Sequence, residues 1–305
     1  MHTVSGHTGI SKPTFPSEQS ADSPFIFEEL FADSEEMVLE FLSHRPIQTV
    51  GMAGLIRDNG IVSYHNRGSF YGCWNTRREL EGVALIGHAT LFEAKTVAAL
   101  RAFAELAKSR NDIHMIMAER QSTREFLFYY SEGGQMVRHS CEQILFRTTQ
   151  AGPQQSVSRI RQAKAEDLEL ILPVHAQMCL VESGVNPLAV DPLGFRRRCV
   201  LRLKRNRTYV WVERDELNFK ADIISETPDA IYLEGIWINT KISGSGFALR
   251  CLSQLVSTLL SRTQSVCLFT NVANRSAIRL YEKAGFSAQG LFESVFLEPR
   301  GSNIH

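Results

Sequence analysis

A chain of 305 residues is too long for one small domain, which takes roughly 100–200, so two domains are predicted. Its 33 Lys and Arg balance 33 Asp and Glu, which argues against a protein whose main work is holding a polyanion such as nucleic acid. Hydrophobic residues at 44% and charged residues at 22% exclude wholesale disorder, and no stretch approaches the roughly 20 apolar residues that cross a bilayer.

Met1 to Pro24 is rich in Ser, Thr, Gly and Pro, buries little, and is expected to be a disordered leader. It lacks a basic-then-apolar signal pattern, so a soluble cytoplasmic protein is expected. Order should begin near Phe25. Met37, Val38, Phe41 and Leu42 have helical spacing within Ser34–Leu42, and an apolar patch follows at Val50–Ile56. Strands are predicted at Ser69–Asn75 and, as one buried run, Glu81–Leu91. A helix over Glu93–Lys108 carries Val97, Leu100, Phe103 and Leu106 on one face. Strand Ile113–Ala118, a short helix with Phe126 and Tyr130, and strand Met136–Arg147 complete a first domain over 25–147. Residues 148–158 are polar and aperiodic, contain Gly152 and Pro153, and read as a linker before a second domain over 159–300.

The second half opens with a strand at Arg159–Ala163 and a helix from Glu166 to about Leu180. Asp191 then caps a helix with Pro192 at its first position, running to Lys204. Strands Thr208–Glu213, Leu217–Glu226 and Ala230–Asn239 follow, then helix Phe247–Ser261, strand Val266–Thr270, helix Asn274–Ala284 stopped by Gly285, and strand Phe286–Leu297. The two halves share a rough order of elements, compatible with a decayed duplication. Six cysteines stand without paired spacing, as expected of reduced thiols packed as small hydrophobes, and no metal site is predicted.

Two blocks carry chemistry. In the first, a strand ending at Ile236, Trp237 and Ile238 runs into a loop with Gly244 and Gly246, then into a helix. Loop amides and the helix N-terminus would converge on one point suited to a phosphate. Alone, this reads as readily as a simple turn. It is neither a Walker loop nor a Rossmann fingerprint. In the second block, Asn274 caps a helix that carries Tyr281, and Gly285 and Phe286 lead into the last strand.

Together the blocks resemble the GNAT superfamily of acyl-CoA-dependent N-acyltransferases, over residues 159–297. Ile236–Ile238 stand for its strand element, Ser243, Gly244, Ser245, Gly246, Phe247 and Ala248 for its loop, and Asn274, Ala277, Tyr281, Gly285 and Phe286 for its later motif. Glu182, Gly184, Asn186 and Pro187, with Phe219–Ala221 and Glu234–Trp237, look like the two-domain type whose N-terminal half is a degenerate GNAT-like domain. The resemblance implies an α+β sandwich fold: tandem domains, each a mixed, largely antiparallel central sheet flanked by helices. Two positions depart from the pattern. Ser243 stands where Arg or Gln is usual, and Thr240 where Pro is common. Backbone amides do most of the phosphate binding in this fold, so the loss of a charge-assisted contact weakens it by on the order of 1–3 kcal/mol.

By the same resemblance the cosubstrate is acetyl-CoA, without a metal. Its arm lies along Ile236, Trp237 and Ile238, its diphosphate on the amides of Gly244 to Ala248, and Asn274 binds the arm. Tyr281 protonates the leaving thiolate. Glu234 is the candidate base, on the expectation that it shares a strand face with Ile236 and Ile238; it also reads as a plain strand-end carboxylate. Glu182 is a second carboxylate on a loop that borders the acceptor, or a solvated loop acid. The expected reaction is direct attack on the thioester by the amine of a small-molecule or peptide acceptor, with no nucleic-acid or membrane partner. The rivals are a CoA-binding pseudoenzyme, which Ser243 favours, and an aminoacyl-tRNA-dependent transferase. The basic run Arg196, Arg197, Arg198, Arg202, Lys204, Arg205 and Arg207 reads as a solvated face or a site for an acidic partner. Lys220 and Asp222 read as a structural pair, and His175 as a packed histidine.

Overall fold

The computed structural model describes residues 25–152, 159–242 and 246–299. The expected leader, most of the linker and the loop residues Ser243, Gly244 and Ser245 lie outside them.

The first half runs β1 (Ile26–Glu29), α1 (Glu35–Ser43), α2 (Val50–Asn59), β2 (Gly68–Trp74), β3 (Leu80–Gly87), β4 (Ala89–Ala94), α3 (Val97–Lys108), β5 (Met115–Glu119), α4 (Arg120–Tyr130) and β6 (Val137–Thr148). The second repeats that order: β7 (Arg161–Gln162), α5 (Leu168–Ser183), α6 (Pro187–Val190), α7 (Pro192–Lys204), β8 (Thr208–Glu213), β9 (Glu216–Glu226), β10 (Ile231–Ile238), α8 (Phe247–Leu259), β11 (Val266–Asn271), α9 (Arg275–Lys283) and β12 (Ser287–Leu297). Among the described α-helices and strands, the short α6 lacks a counterpart.

Local chemistry accounts for most boundaries. The Asp191 side chain accepts from the Gly194 amide at 2.8 Å and starts α7. Thr96 caps α3 through the Ala99 amide, so that helix begins at Val97 and not at Glu93, which belongs to β4. The run Glu81–Leu91, expected as one strand, folds back on itself at Gly87 and His88 and pairs Leu85 with Leu91. A side chain at Gly87 would meet the Arg67 carbonyl at 2.2 Å, so the tight approach of neighbouring strands there needs glycine. The patch Val50–Ile56 is helical.

The described strands form one sheet in the order β1-β2-β3-β4-β5-β12-β6-β11-β10-β9-β8-β7. All neighbours run antiparallel except β4 with β5 and β10 with β11. The halves exchange their last strands. β12, from the second half, sits between β5 and β6; β6, from the first, sits between β12 and β11. The cores follow suit. Val295 and Leu297 of β12 pack with α3 and α4, while Phe146 of β6 packs with α8 and α9. Neither half completes its sheet or its core alone.

Thermal unfolding is therefore expected to be one cooperative transition by both circular dichroism and calorimetry. Leu297 is 1% exposed and lies in the first half's core. Leu297→Ala should lower stability by about 2–5 kcal/mol and move the whole transition; two separable melts, with only one of them shifted, would contradict the exchange.

Candidate functional site

The site begins where a sheet loses its pairing. β10 and β11 are parallel partners only from Ile231 to Leu233 and from Val266 to Leu268. Beyond those residues β10 runs on to Ile238 and β11 to Asn271 with no further register between them. The strands diverge, and β10 presents backbone N–H and C=O groups to the gap, where they need partners.

On its other side β10 stays paired with β9, but with a bulge between Glu234 and Trp237. Gly235 at the bulge has φ of 60°, in the left-handed region. A buried charge cluster holds it. Lys220 is fully buried, pairs with Asp222, and donates to the Gly235 carbonyl at 3.3 Å. Asp222 also accepts from Arg202 at 2.9 Å and from the Thr208 hydroxyl at 2.7 Å. Although burial opposes its charge, Lys220 and Arg202 hold its carboxyl well below the usual range. His175 stacks on Phe195, and Arg202 stands 3.3 Å from its Nε2, a contact that suits a neutral ring. Burial, then Lys220 and Arg202, push this imidazole down to about 3. Lys220 and Asp222 thus form the expected pair, and His175 is packed. Arg202 turns inward from the stripe expected to face solvent. Its neighbours are tied locally: Arg196 to Glu169, Arg198 to Asp191, and Arg205 and Arg207 to Asp58 of the first half.

The bulge changes which way side chains point. Ile231, Leu233, Ile236 and Ile238 all pack toward α8 and α9. Tyr232 and Glu234 line a cavity of about 380 Å³ instead. Glu234 therefore does not share a face with Ile236 and Ile238: the extra residue at Gly235 inverts the alternation. Trp237 packs with α5 and α7.

Glu182 lines the same cavity. Helix α5 continues past Leu180 until Gly184, at φ of 70°, stops it, so Glu182 lies in its last turn and not on a loop. Glu182 remains exposed as a whole residue, yet partial removal of its carboxyl from water, and the like charge of Glu234, raise that carboxyl to about 7. The Tyr232 hydroxyl donates to Glu234 at 3.1 Å. Tyr232 went unremarked in the sequence, although its two-residue offset from Glu234 was the available signal. Cys179 also lines the cavity; burial, Glu234 and Glu182 push its thiol up to about 11, so it is not a thiolate at neutral pH.

The remaining predicted residues lie on the other face. Tyr281 is 7% exposed, packed near Phe146 and Phe286, and burial pushes its phenol up to about 12. Phe247 is buried against Trp211 at the start of α8, with Ala248 next to it. Gly246 precedes them with φ of 71°, and no described side chain caps α8. Asn274 caps α9 by accepting from the Ala277 amide at 3.1 Å, which leaves its NH2 group for other partners. Among the described residues no acidic, His or Cys cluster has the arrangement of a metal site, and no helix is long and apolar enough to cross a membrane.

Residues 213–297 match the FR47-like protein family. No curated protein matches the sequence. A solved Drosophila protein has a TM-score of 0.66 at 12% identity, covering 91% of this chain and 100% of that one. A GNAT-family acetyltransferase from Colwellia psychrerythraea has 0.53 at 9%, covering 90% and 100%. A tandem GNAT protein from the clavulanic acid biosynthesis pathway has 0.51 at 12%, covering 90% and 99%. The chain has the GNAT fold, in tandem. Within that fold β10 sends Ile236 and Ile238 toward α8 and α9, and Tyr232 and Glu234 into the carboxylate cavity.

The charge cluster under the bulge predicts a pH signature. Between pH 6.5 and about 3 the unfolded chain binds a proton at His175 that the folded chain refuses, so this contribution is present above pH 6.5 and is lost as pH falls. His175→Gln should flatten the dependence of stability on pH across that window, read by urea unfolding at stepped pH. An unchanged slope would show that the imidazole is not held neutral.

Proposed function

We propose that this GNAT-fold protein transfers an acetyl group from acetyl-CoA to an amine by direct attack. The observation that carries the proposal is the carboxylate pair, Glu182 and Glu234, in a cavity beside the gap between β10 and β11. The amine must be neutral to attack, and a base must take its proton. A carboxyl raised to about 7 is well matched to that work near neutral pH. The two acids act as one proton-accepting unit, with Glu234 steadied by the Tyr232 hydroxyl and its charge raising the Glu182 carboxyl.

Acetyl-CoA supplies the activated acyl carbon. Unpaired amides of β10 beyond Leu233 suit the strand-like hold of an amide-bearing arm and the charge that develops on the acyl oxygen. Gly246 and the amides of Phe247 and Ala248, which no described side chain caps, would meet its diphosphate, together with Ser243, Gly244 and Ser245. Asn274 would reach the arm with its NH2 group. Tyr281, a phenol at neutral pH, would hand its proton to the thiolate as the carbon–sulfur bond breaks. Direct attack is preferred to an acyl-enzyme because burial raises the thiol in the cavity and leaves it a poor nucleophile.

The proton-accepting form is the ionised one, so kcat/KM should rise as pH passes about 7. Glu182→Gln should abolish that limb and lower kcat by about 10²–10⁴-fold with acetyl-CoA affinity unchanged by calorimetry. Glu234→Gln should move the limb to lower pH, because it removes the repelling charge. A wild-type profile in both variants would remove the pair from the reaction.

Tyr281→Phe should lower kcat more than acetyl-CoA affinity, with the loss largest for acyl donors whose leaving thiol has a high pKa. Equal turnover across such donors would exclude the phenol as the acid.

A further inference from the structure

The cavity around the carboxylate pair is built by both halves of the chain. The second half contributes Glu182, Glu234, Tyr232 and Phe269; the first contributes Met52 of α2, Leu91 of β4 and Met117 of β5; the exchanged strand β12 adds Phe292. Its volume of about 380 Å³ lies in the range, roughly 300–1,000 Å³, that encloses a small organic ligand.

The lining is mostly apolar, and its aromatic part is ordered. Tyr232 meets Phe269 edge to face with ring centres 5.3 Å apart, and Phe269 meets Phe292 in the same way at 4.8 Å. This chain of rings leads from the hydroxyl that holds Glu234 toward the wall built by the first half. The methionines beside it are flexible and polarizable, and adapt to a ring-sized guest.

The charges are one-sided. Glu93 and Glu119 also line the cavity, but Arg45 bridges them at 2.7 Å each. His114 lines it as a neutral ring, since burial, Arg138 and Arg67 hold its imidazole below the usual range. No Lys or Arg is among the described residues that line the cavity. Glu182 and Glu234 are thus left as the carboxylates without a basic partner in the lining. An ammonium group is drawn to them, and the aromatic faces add to the attraction. A carboxylate on the same ligand would be desolvated among like charges with no cation to meet it.

We infer that the acceptor is a primary amine carried on an apolar, ring-bearing body with no carboxylate of its own, and that the first half of the chain serves as the wall that selects this body. The inference rests on the acyl-transfer reading only for the word acceptor; the site itself is a matter of binding.

The test is calorimetry on the full chain without acetyl-CoA, with 2-phenylethylamine, phenylalanine, 3-phenylpropionate and glycine as probes. 2-Phenylethylamine should bind at least tenfold tighter than each of the others. Met117→Lys, shown to be folded by circular dichroism, should weaken 2-phenylethylamine at least tenfold by placing a cation in the wall. Met117→Leu keeps the wall apolar and should bind like the parent. Equal or tighter binding of phenylalanine or glycine overturns the inference, as does unchanged binding in a folded Met117→Lys. Thiol release assays separate this from the acyl-transfer reading. Release with glycine but not with 2-phenylethylamine overturns the acceptor class alone. Tight binding of 2-phenylethylamine with no thiol release from acetyl-CoA supports the amine site and overturns the transfer.

Discussion

Asp222 draws the Lys220 ammonium, the Arg202 guanidinium and the Thr208 hydroxyl to one point beneath the Gly235 bulge. Isolated, any of these charges would be costly in the interior; together they satisfy one another. Their position matters more than their strength. Lys220 also holds the Gly235 carbonyl, and a side chain at Gly235 would meet its ammonium nitrogen at 2.9 Å. The backbone is therefore held in its left-handed turn from below. Because strand faces alternate with a period of two, that one extra residue decides that Glu234 opens into the cavity while Ile236 and Ile238 face α8 and α9.

The strand exchange does for the whole molecule what the bulge does for β10. A half-sheet ending at β5 would expose an edge with unpaired donors and acceptors, and β12 covers it. The same step carries Phe292 into the centre of the sheet, opposite Gln143 of β6, where it meets the Phe269 ring and joins the buried cluster of Leu145, Cys267 and Ala230. The cavity lies where these contributions meet. Its wall from the first half is fixed by the pairing that closes the sheet, so shape there is coupled to global stability and not left to a loop.

Much of this was legible where the cause is local. Asp191 with Pro192, Asn274 at the start of α9 and Gly285 at its end specify caps and stops through a few neighbouring atoms, and the helices begin and end there within a residue or two. The Lys220–Asp222 pair was readable from spacing alone, because residues two apart on a strand share a face. The hairpin of β3 and β4 was not, since Val83 to Leu91 is apolar on both sides of a turn marked only by Gly87 and His88. The exchange left no local mark at all: Phe292 and Glu119 are far apart in sequence, and nothing near either one names the other. Glu234 shows the finer limit. Its residue type and its position before the glycine were informative, but its face depended on a bulge set by Lys220 on the neighbouring strand. Arg202 fits the helical stripe of an exposed cation equally well, and only the carboxylate beneath it turns it inward.

The two faces of the sheet divide the chemistry in a way that suits transfer between unlike partners. Toward α8 and α9 lie the start of α8, which no described side chain caps, the Asn274 amide and the Tyr281 phenol, groups that donate hydrogen bonds and on the proposed reading meet anionic phosphates and a departing thiolate. Toward α5 and α2 lie two carboxylates, suited to an ammonium and to the proton it must lose. Each set would repel the other's ligand, so neither partner is drawn to the wrong side. On the same reading they meet at the gap beyond Leu233, where β10 has released its partner strand. On the proposed reading the amine crosses from the acidic side to the acyl carbon through an opening framed by main-chain groups. The protons then move in opposite senses: one leaves the nitrogen toward the carboxylate pair, and one leaves Tyr281 toward the sulfur.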